Sequence, residues 1–310
     1  MRGASAGDRP GGQRQGSGVA VGAALTAVIL LATAGCGASA GSGDGSGSGS
    51  SGPVNVLYAG SLVDLMQSQL GPGFQAATRY SVAGFPGGST GLANEIKAKV
   101  HRGDVFVSAS PAVNDSLEGS ANGGWVSWYA TFATSPLVLG YNPKSHFAAQ
   151  LRSRPWYDVI TEPGFRVGRT DPATDPKGAL TVQALSRTAA ARHRPALKSV
   201  ATETDTVFPE ESLVGRLQAG QLDAGFFYRS EAVAAGIPTR PLTGVHLRAT
   251  YTVTVLNEAP NPTGAAAFVR YLLGPAGRAS LRKDGFSLVR PPALSGNGPP
   301  AALRSVIPTP

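Results

Sequence analysis

The chain has 310 residues, of which 42% are hydrophobic and 15% charged, with a formal net charge of +8 and one cysteine. That length suggests two domains with enough apolar material for a packed core, and a lone cysteine excludes an internal disulfide and a cysteine-based metal site. Lysine and arginine are scattered, without a basic run or interleaved aromatics, which argues against nucleic acid as a partner and leaves weak attraction to anions or to an acidic surface.

Residues 1–35 read as a signal segment rather than part of the fold. Arg2, Arg9 and Arg14 form a positive start, and Val19 to Leu31 is an apolar stretch too short to span a membrane comfortably. "LATAGC" then ends at Cys36, the lone cysteine. Small residues directly before a cysteine resemble a bacterial lipobox, although Thr33 stands where an aliphatic residue is more usual. On this reading Cys36 is lipidated and holds the protein extracytoplasmically, on the outer face of the cell membrane. The stretch 36–52 is a Gly/Ser coil, a flexible tether of about 20–25 Å root-mean-square span.

From Val54 onward the hydrophobic period alternates between strand and helix. "VNVLYAG" (54–60) reads as a buried strand and "SLVDLMQSQL" (61–70) as a helix stopped by "GPG". "YSVAGF" (80–85) is a second strand, "GLANEIKAKVH" (91–101) a helix, and "DVFVSAS" (104–110) a third strand before a helix opened by Pro111. This β-α-β-α-β order predicts a parallel sheet with helices on both faces. "YATFATSPLVLGYNP" (129–143) predicts a strand crossing toward a second lobe, and "WYDVI" begins a helix. Strands at 165–170, 222–230 and 249–256 and helices from about Ala179, over 207–220 and over 262–274 complete the pattern. The fold class expected is α/β: two lobes, each a mostly parallel sheet flanked by helices, with the chain returning to the first. Lobe I takes 53–133 and 245–290, and lobe II takes 134–244. The Pro-rich tail 291–310 reads as loosely held.

Several strands end in similar chemistry. The first ends at Gly60-Ser61, the second at Gly87-Gly88-Ser89-Thr90, the strand at 165–170 runs into "DPATD" ending at Asp175, and the strand at 222–227 ends at Tyr228. Ligands of open α/β sheets bind at the carboxyl edge of the strands. Helix N-termini there offer free N–H groups, glycine permits close approach, and Ser or Thr adds a donor. The same residues have plainer roles: Ser61, Ser89 and Asp175 are good N-caps, and Tyr228 fits a core. The motifs HExxH, GxSxG and GxGxxG are missing, and His101, His146, His193 and His246 are dispersed. Asp171 and Asp175 have no third acid beside them, and Trp125, Trp128 and Trp156 fit a core or lobe interface better than a stacking platform. The chain therefore reads as a binding protein rather than an enzyme, with no cofactor.

In the segments "LYAGSLVDLM", "GGSTGLANEIKAKVHRGDVFVSASPAV", "WYATFATSPLVLGYNP", "WYDVI", "GRTDPATDPKG" and "LDAGFFYRSEAVAAG" the sequence resembles the substrate-binding proteins of molybdate/tungstate ABC transporters. The resemblance implies a two-lobed periplasmic-binding-protein fold of type II-like topology, with the oxyanion in the interlobe cleft. It implies a monomer whose partners are an ABC permease and ATPase. It also implies that Gly60, Ser61, Gly88 and Ser89 contribute hydroxyl and backbone donors from one lobe. Ala133, Thr134 and Asp175 would add backbone N–H groups, and Tyr228 its hydroxyl. A tungstate-binding branch uses an Asp and a Glu; Asp175 fits the first, and Phe227 stands where the Glu is expected. That departure favours a tetrahedral anion held by neutral donors, with the Asp175 carboxylate turned away. Sulfate, ferric iron or a small organic anion are alternative ligands on the same fold, since fold does not fix function, and a surface-anchored hydrolase is a further alternative.

Overall fold

A computed structural model describes residues 52–309; the expected signal segment, Cys36 and the tether up to residue 51 lie outside the described residues. Strand β1 (Pro53–Ala59) is an apolar run buried on both faces, as a strand with parallel neighbours on both sides must be. After it the chain stays helical from 60 to 77. It passes through a 3-10 turn (Gly60–Leu62), α1 (Val63–Leu65), a π-helical stretch (Met66–Leu70) and α2 (Gly71–Ala77). The expected stop at "GPG" does not occur. The π turn lets Gly71 N–H reach the Met66 carbonyl, and Pro72 falls in the first turn of α2, where a missing N–H costs nothing.

Strand β2 (Ser81–Gly87), α3 (Ser89–Lys97), β3 (Val105–Ser108) and α4 (Pro111–Asp115) follow. Strands β2 and β3 flank β1 in parallel, with Ala59 opposite Gly87, so the three strands end on one edge. Asp104, fully buried, fixes this half: its carboxylate accepts from Asn55 N at 2.7 Å and from Asn261 N at 2.5 Å.

Strand β4 (Trp128–Tyr141) joins the two halves. Next come α5 (Ala148–Ser153), α6 (Trp156–Val159), β5 (Val167–Gly168), α7 (Pro176–Ala191), α8 (Ala196–Thr202), α9 (Glu210–Gln218), β6 (Ala224–Tyr228), α10 (Arg229–Ala234) and β7 (Thr239–Pro241). The chain then returns through β8 (Arg248–Val255), α11 (Pro262–Leu273), α12 (Pro275–Lys283) and β9 (Ser287–Gly296). Up to Pro136, β4 pairs with β8 and β9; from Leu137 it pairs with β6 and β7. At that change of partner Leu137 N–H donates to the Leu247 carbonyl at 2.8 Å, so the outgoing and returning segments are tied side by side. The strand order is β2-β1-β3-β8-β4-β6-β5, with β7 and β9 also on β4.

The architecture is the expected two-lobed α/β fold, but its sheets are mixed rather than mostly parallel. Among the described strands only β1–β2, β1–β3 and β5–β6 pair in parallel; β4 and β8 enter antiparallel because each runs back from the other lobe. The strand expected over 165–170 shortens to β5 plus a bridge from Arg169 to Val207. The Pro-rich end is not loose. β9 carries pairing through to Gly296, and Leu303 and Ile307 beyond it are fully buried. Trp128 and Trp156 are buried as expected, Trp156 meeting Phe226 edge-on at 6.1 Å. Among the described residues no helix is long and apolar enough to cross a membrane.

Candidate functional site

The two halves meet where strand ends of one face helix starts of the other. Gly88, the residue before α3, lies against the loop before α7. A Cβ built on it would stand 2.5 Å from the Thr174 carbonyl oxygen and 3.0 Å from Asp175 Cβ. Gly91 N–H donates to that same carbonyl at 2.9 Å. Gly60 faces α9 equally closely, its virtual Cβ 2.9 Å from Glu210 Cβ. Glycine at 60 and 88 is thus what lets the halves touch.

Neither Ser61 nor Ser89 caps a helix; the caps are Ala59 and Gly88, without side-chain bonds. Ser61 Oγ accepts from the Tyr251 hydroxyl at 3.0 Å, and Ser89 Oγ accepts from Ala109 N at 3.1 Å. Ser89 Oγ is thus used as an acceptor and its O–H is left to donate, while Ser61 and Tyr251 share one hydrogen bond between two hydroxyls. Tyr228 closes β6, fully buried, its ring edge-on to Tyr251 at 6.1 Å. Its hydroxyl has no protein partner; Thr170 Oγ1 and Ser230 Oγ are also buried, near the Asp175 carboxylate and the Tyr251 hydroxyl respectively. Buried donors without partners are costly and rare in a native fold.

Asp175 behaves differently from the expectation. Its backbone N–H goes to the Asp171 carbonyl at 2.9 Å, while its carboxylate, far from turning away, is buried. Oδ1 caps α7 by accepting from Lys177 N at 2.8 Å, and Oδ2 has no hydrogen-bond partner. Geometry here follows from the helix start: the cap needs the side chain inside. Ala133 and Thr134 also depart from expectation. They sit just after a bulge in β4, between β8 and β9, and not at an open strand end.

Three residues that sequence patterning missed complete the site. Lys177 is fully buried, its Nζ 2.8 Å from Glu231 Oε1 and 3.2 Å from Glu210 Oε1, and 5.7 Å above the Tyr228 ring. Glu231 Oε2 accepts from Tyr228 N at 2.7 Å. Glu210 is buried at the start of α9, and neither of its oxygens has a hydrogen bond in good geometry. Glu210 and Glu231 each stand in an ordinary first helical turn, and Lys177 directly follows a Pro, so no periodicity marks them as buried.

Burial raises the Glu210 pKa to about 7, with the Asp175 charge adding and Lys177 opposing. Asp175 and Glu231 are likewise raised, by burial first, against the pull of Lys177. Lys177 keeps its charge: burial favours the neutral amine, but Glu231, Glu210 and Asp175 outweigh it. The expectation of neutral donors did not include this buried charged cluster. Three carboxylates share one cation, and that cation is committed to two of them.

The expected site residues do not share one opening: Ser89, Tyr228, Ala133 and Thr134 line neither of the two pockets here, and the others are split between them. Gly60, Ser61, Ser230 and Glu231 line a pocket of about 420 Å³, and Gly88, Thr170 and Asp175 one of about 470 Å³. Glu210 and Glu211 line both, so Glu210 stands in the partition between them.

The family model for bacterial extracellular solute-binding proteins matches residues 54–287. A protein of Haloferax volcanii named as a molybdenum-binding protein of an ABC transporter is 35% identical over 188 residues, 60% of this chain. The match spans 58% of that relative's length. A molybdate/tungstate-binding protein of Pyrococcus abyssi is 24% identical over 227 residues, covering 56% of this chain and 66% of that one. Among solved structures, the periplasmic molybdate-binding protein of Azotobacter vinelandii aligns with a TM-score of 0.60, covering 76% of this chain and 100% of that chain. At 20% identity that likeness is one of fold.

Proposed function

Because the chain belongs to the bacterial extracellular solute-binding protein family, we propose that it captures a tetrahedral oxyanion, molybdate or tungstate, and delivers it to the permease and ATPase of an ABC importer. The relatives named for molybdate or molybdenum support the ligand class. The observation that carries the reading is the buried Tyr228 hydroxyl, which has no protein partner, together with the hydroxyls of Ser61 and Ser230, which line one pocket. An oxyanion supplies the acceptors this set lacks. Hydrogen bonds to a charged group contribute about 1.5–3 kcal/mol each. Several of them, offset by desolvation and closure, are compatible with micromolar or tighter affinity.

The two lobes, 53–133 with 245–290 and 134–244, are the bodies that close, and the paired crossings at Leu137 and Leu247 are the hinge. Cys36 carries the lipid that anchors the protein, as a monomer, to the outer face of the membrane. Calorimetry against molybdate, tungstate, sulfate and phosphate tests the ligand. Heat with either of the first two, held against competing sulfate, is the expected result, and silence with all four refutes the proposal. Replacing Cys36 by alanine should release the protein from the membrane fraction.

A further inference from the structure

Tyr251 is a buried hydroxyl that the chemistry of strand ends does not single out. It lies within β8, opposite Ala133 and just past the Leu247 carbonyl that ties the two crossings together. Its side chain is fully buried. Phe286 meets its ring edge-on at 5.2 Å, Tyr228 edge-on at 6.1 Å, and Phe132 is tilted against it at 6.4 Å. A phenol clamped on three sides keeps its oxygen in one place, so the partner of that oxygen is held as well.

That partner is Ser61 Oγ, at 3.0 Å. Two hydroxyls can share such a bond in either direction, and their acidity decides between them. A phenol is far more acidic than an aliphatic hydroxyl and is the better donor. Burial, with Glu231 and Glu210 nearby, pushes the Tyr251 pKa well up and keeps the proton on its oxygen. Ser230 Oγ stands near the same phenol and can donate to it in turn. Ser61 has open space on its other side: it lines the 420 Å³ pocket together with Ser230 and Phe286. Among the described residues its Oγ meets no second protein partner. With one lone pair taken by Tyr251, Ser61 is left with its own hydrogen to turn into that pocket.

We infer that Tyr251 is a positioning residue of the oxyanion site: its phenol donates to Ser61 Oγ and so directs the Ser61 O–H at the bound anion, without touching the anion itself. This rests on the oxyanion reading above. A hydroxyl that rotates freely in the empty protein has to be ordered on binding, and Tyr251 orders it beforehand. Donation into the Ser61 oxygen also polarises the Ser61 O–H and strengthens the bond it gives. Both residues belong to the lobe formed by 53–133 and 245–290, so this donor is set before the other lobe closes.

The experiment is a double-mutant cycle read by calorimetric titration with sodium molybdate. Tyr251→Phe keeps the ring and removes the donor, and should weaken Kd by about 2- to 12-fold, the range of one ordinary hydrogen bond. Ser61→Ala removes the group through which Tyr251 acts, so adding Tyr251→Phe to it should change Kd by less than about twofold. In thermal unfolding the same addition should raise the midpoint of Ser61→Ala, because the orphaned phenol goes with its partner. Losses that multiply in the double variant overturn the inference, since a merely structural role lowers affinity in both backgrounds alike. Tyr251→Phe that binds like the parent also overturns it. Replacement of Tyr251 by 3-fluorotyrosine keeps the hydroxyl and makes it a stronger donor, and serves where Tyr251→Phe fails to fold. It should tighten Kd by up to about fourfold while Ser61 is present and leave it unchanged in Ser61→Ala. An equal change in both backgrounds, or none in either, overturns the inference and leaves the oxyanion reading intact. A parent that does not bind molybdate sinks the oxyanion reading, and this inference with it.

Discussion

Adding one methyl group at Gly88 should separate closure from folding. Its backbone, φ −60° and ψ 128°, is one that alanine adopts freely, so the open protein should fold as before. In the closed arrangement the new Cβ would lie 2.5 Å from the Thr174 carbonyl oxygen and 3.0 Å from Asp175 Cβ. Ordinary contact begins near 3.4 Å, so roughly 0.9 Å must open between two backbones, and overpacking of that kind costs about 1–3 kcal/mol. That corresponds to an affinity loss of about 5- to 150-fold for the closing ligand. Gly91→Ala is the internal control: its Cβ would sit 3.7 Å from Thr174 Cβ, an ordinary contact, in a helix that favours alanine. Calorimetry with molybdate and thermal unfolding of both variants give the readout. If Gly88→Ala binds like the parent while its unfolding is unchanged, the contact between Gly88 and Thr174 is not part of the bound state and the argument fails.

Other expectations are more local. Ser61→Ala should weaken oxyanion binding by about 1–3 kcal/mol by calorimetry, and should also lower stability by about 1–3 kcal/mol because the buried Tyr251 hydroxyl loses this partner. Deleting residues 297–310 should lower stability in denaturant by about 3–6 kcal/mol, because Leu303 and Ile307 are fully buried and each such side chain contributes about 1.5–3 kcal/mol; an unchanged midpoint would mean the tail is undocked. Glu210, raised to about 7 in the fold, binds more protons folded than unfolded, so its contribution makes stability fall as pH rises from about 4.5 to 7. Glu210→Gln should flatten that part of the stability–pH curve. Asp223 acts oppositely: burial pushes its pKa up, but hydrogen bonds from Arg166 and Ser145 outweigh this and hold it low. Its stabilisation should be present above the unfolded carboxylate pKa and be lost as pH falls through the folded value, and Asp223→Asn should remove that acid-side loss.

Much of this protein is written locally. Alternation in 249–256, the apolar face of 262–273 and the small residues that end β1 and β2 each depend on neighbours within a few positions, and each forms as the pattern dictates. Ser61, Ser89, Asp175 and Tyr228 stand out in the chain because strand-to-helix junctions have a recognisable chemistry. Tertiary packing decided the rest. A Pro-Gly pair that breaks helices in general was absorbed by a π turn, and a Pro-rich end that looks solvated was held by the burial of two aliphatic side chains. Above all, Lys177, Glu210 and Glu231 lie on three helices far apart in sequence, each a charged residue in an ordinary first turn. Only tertiary packing brings them together and removes water from them, and without water their charges must be counted together.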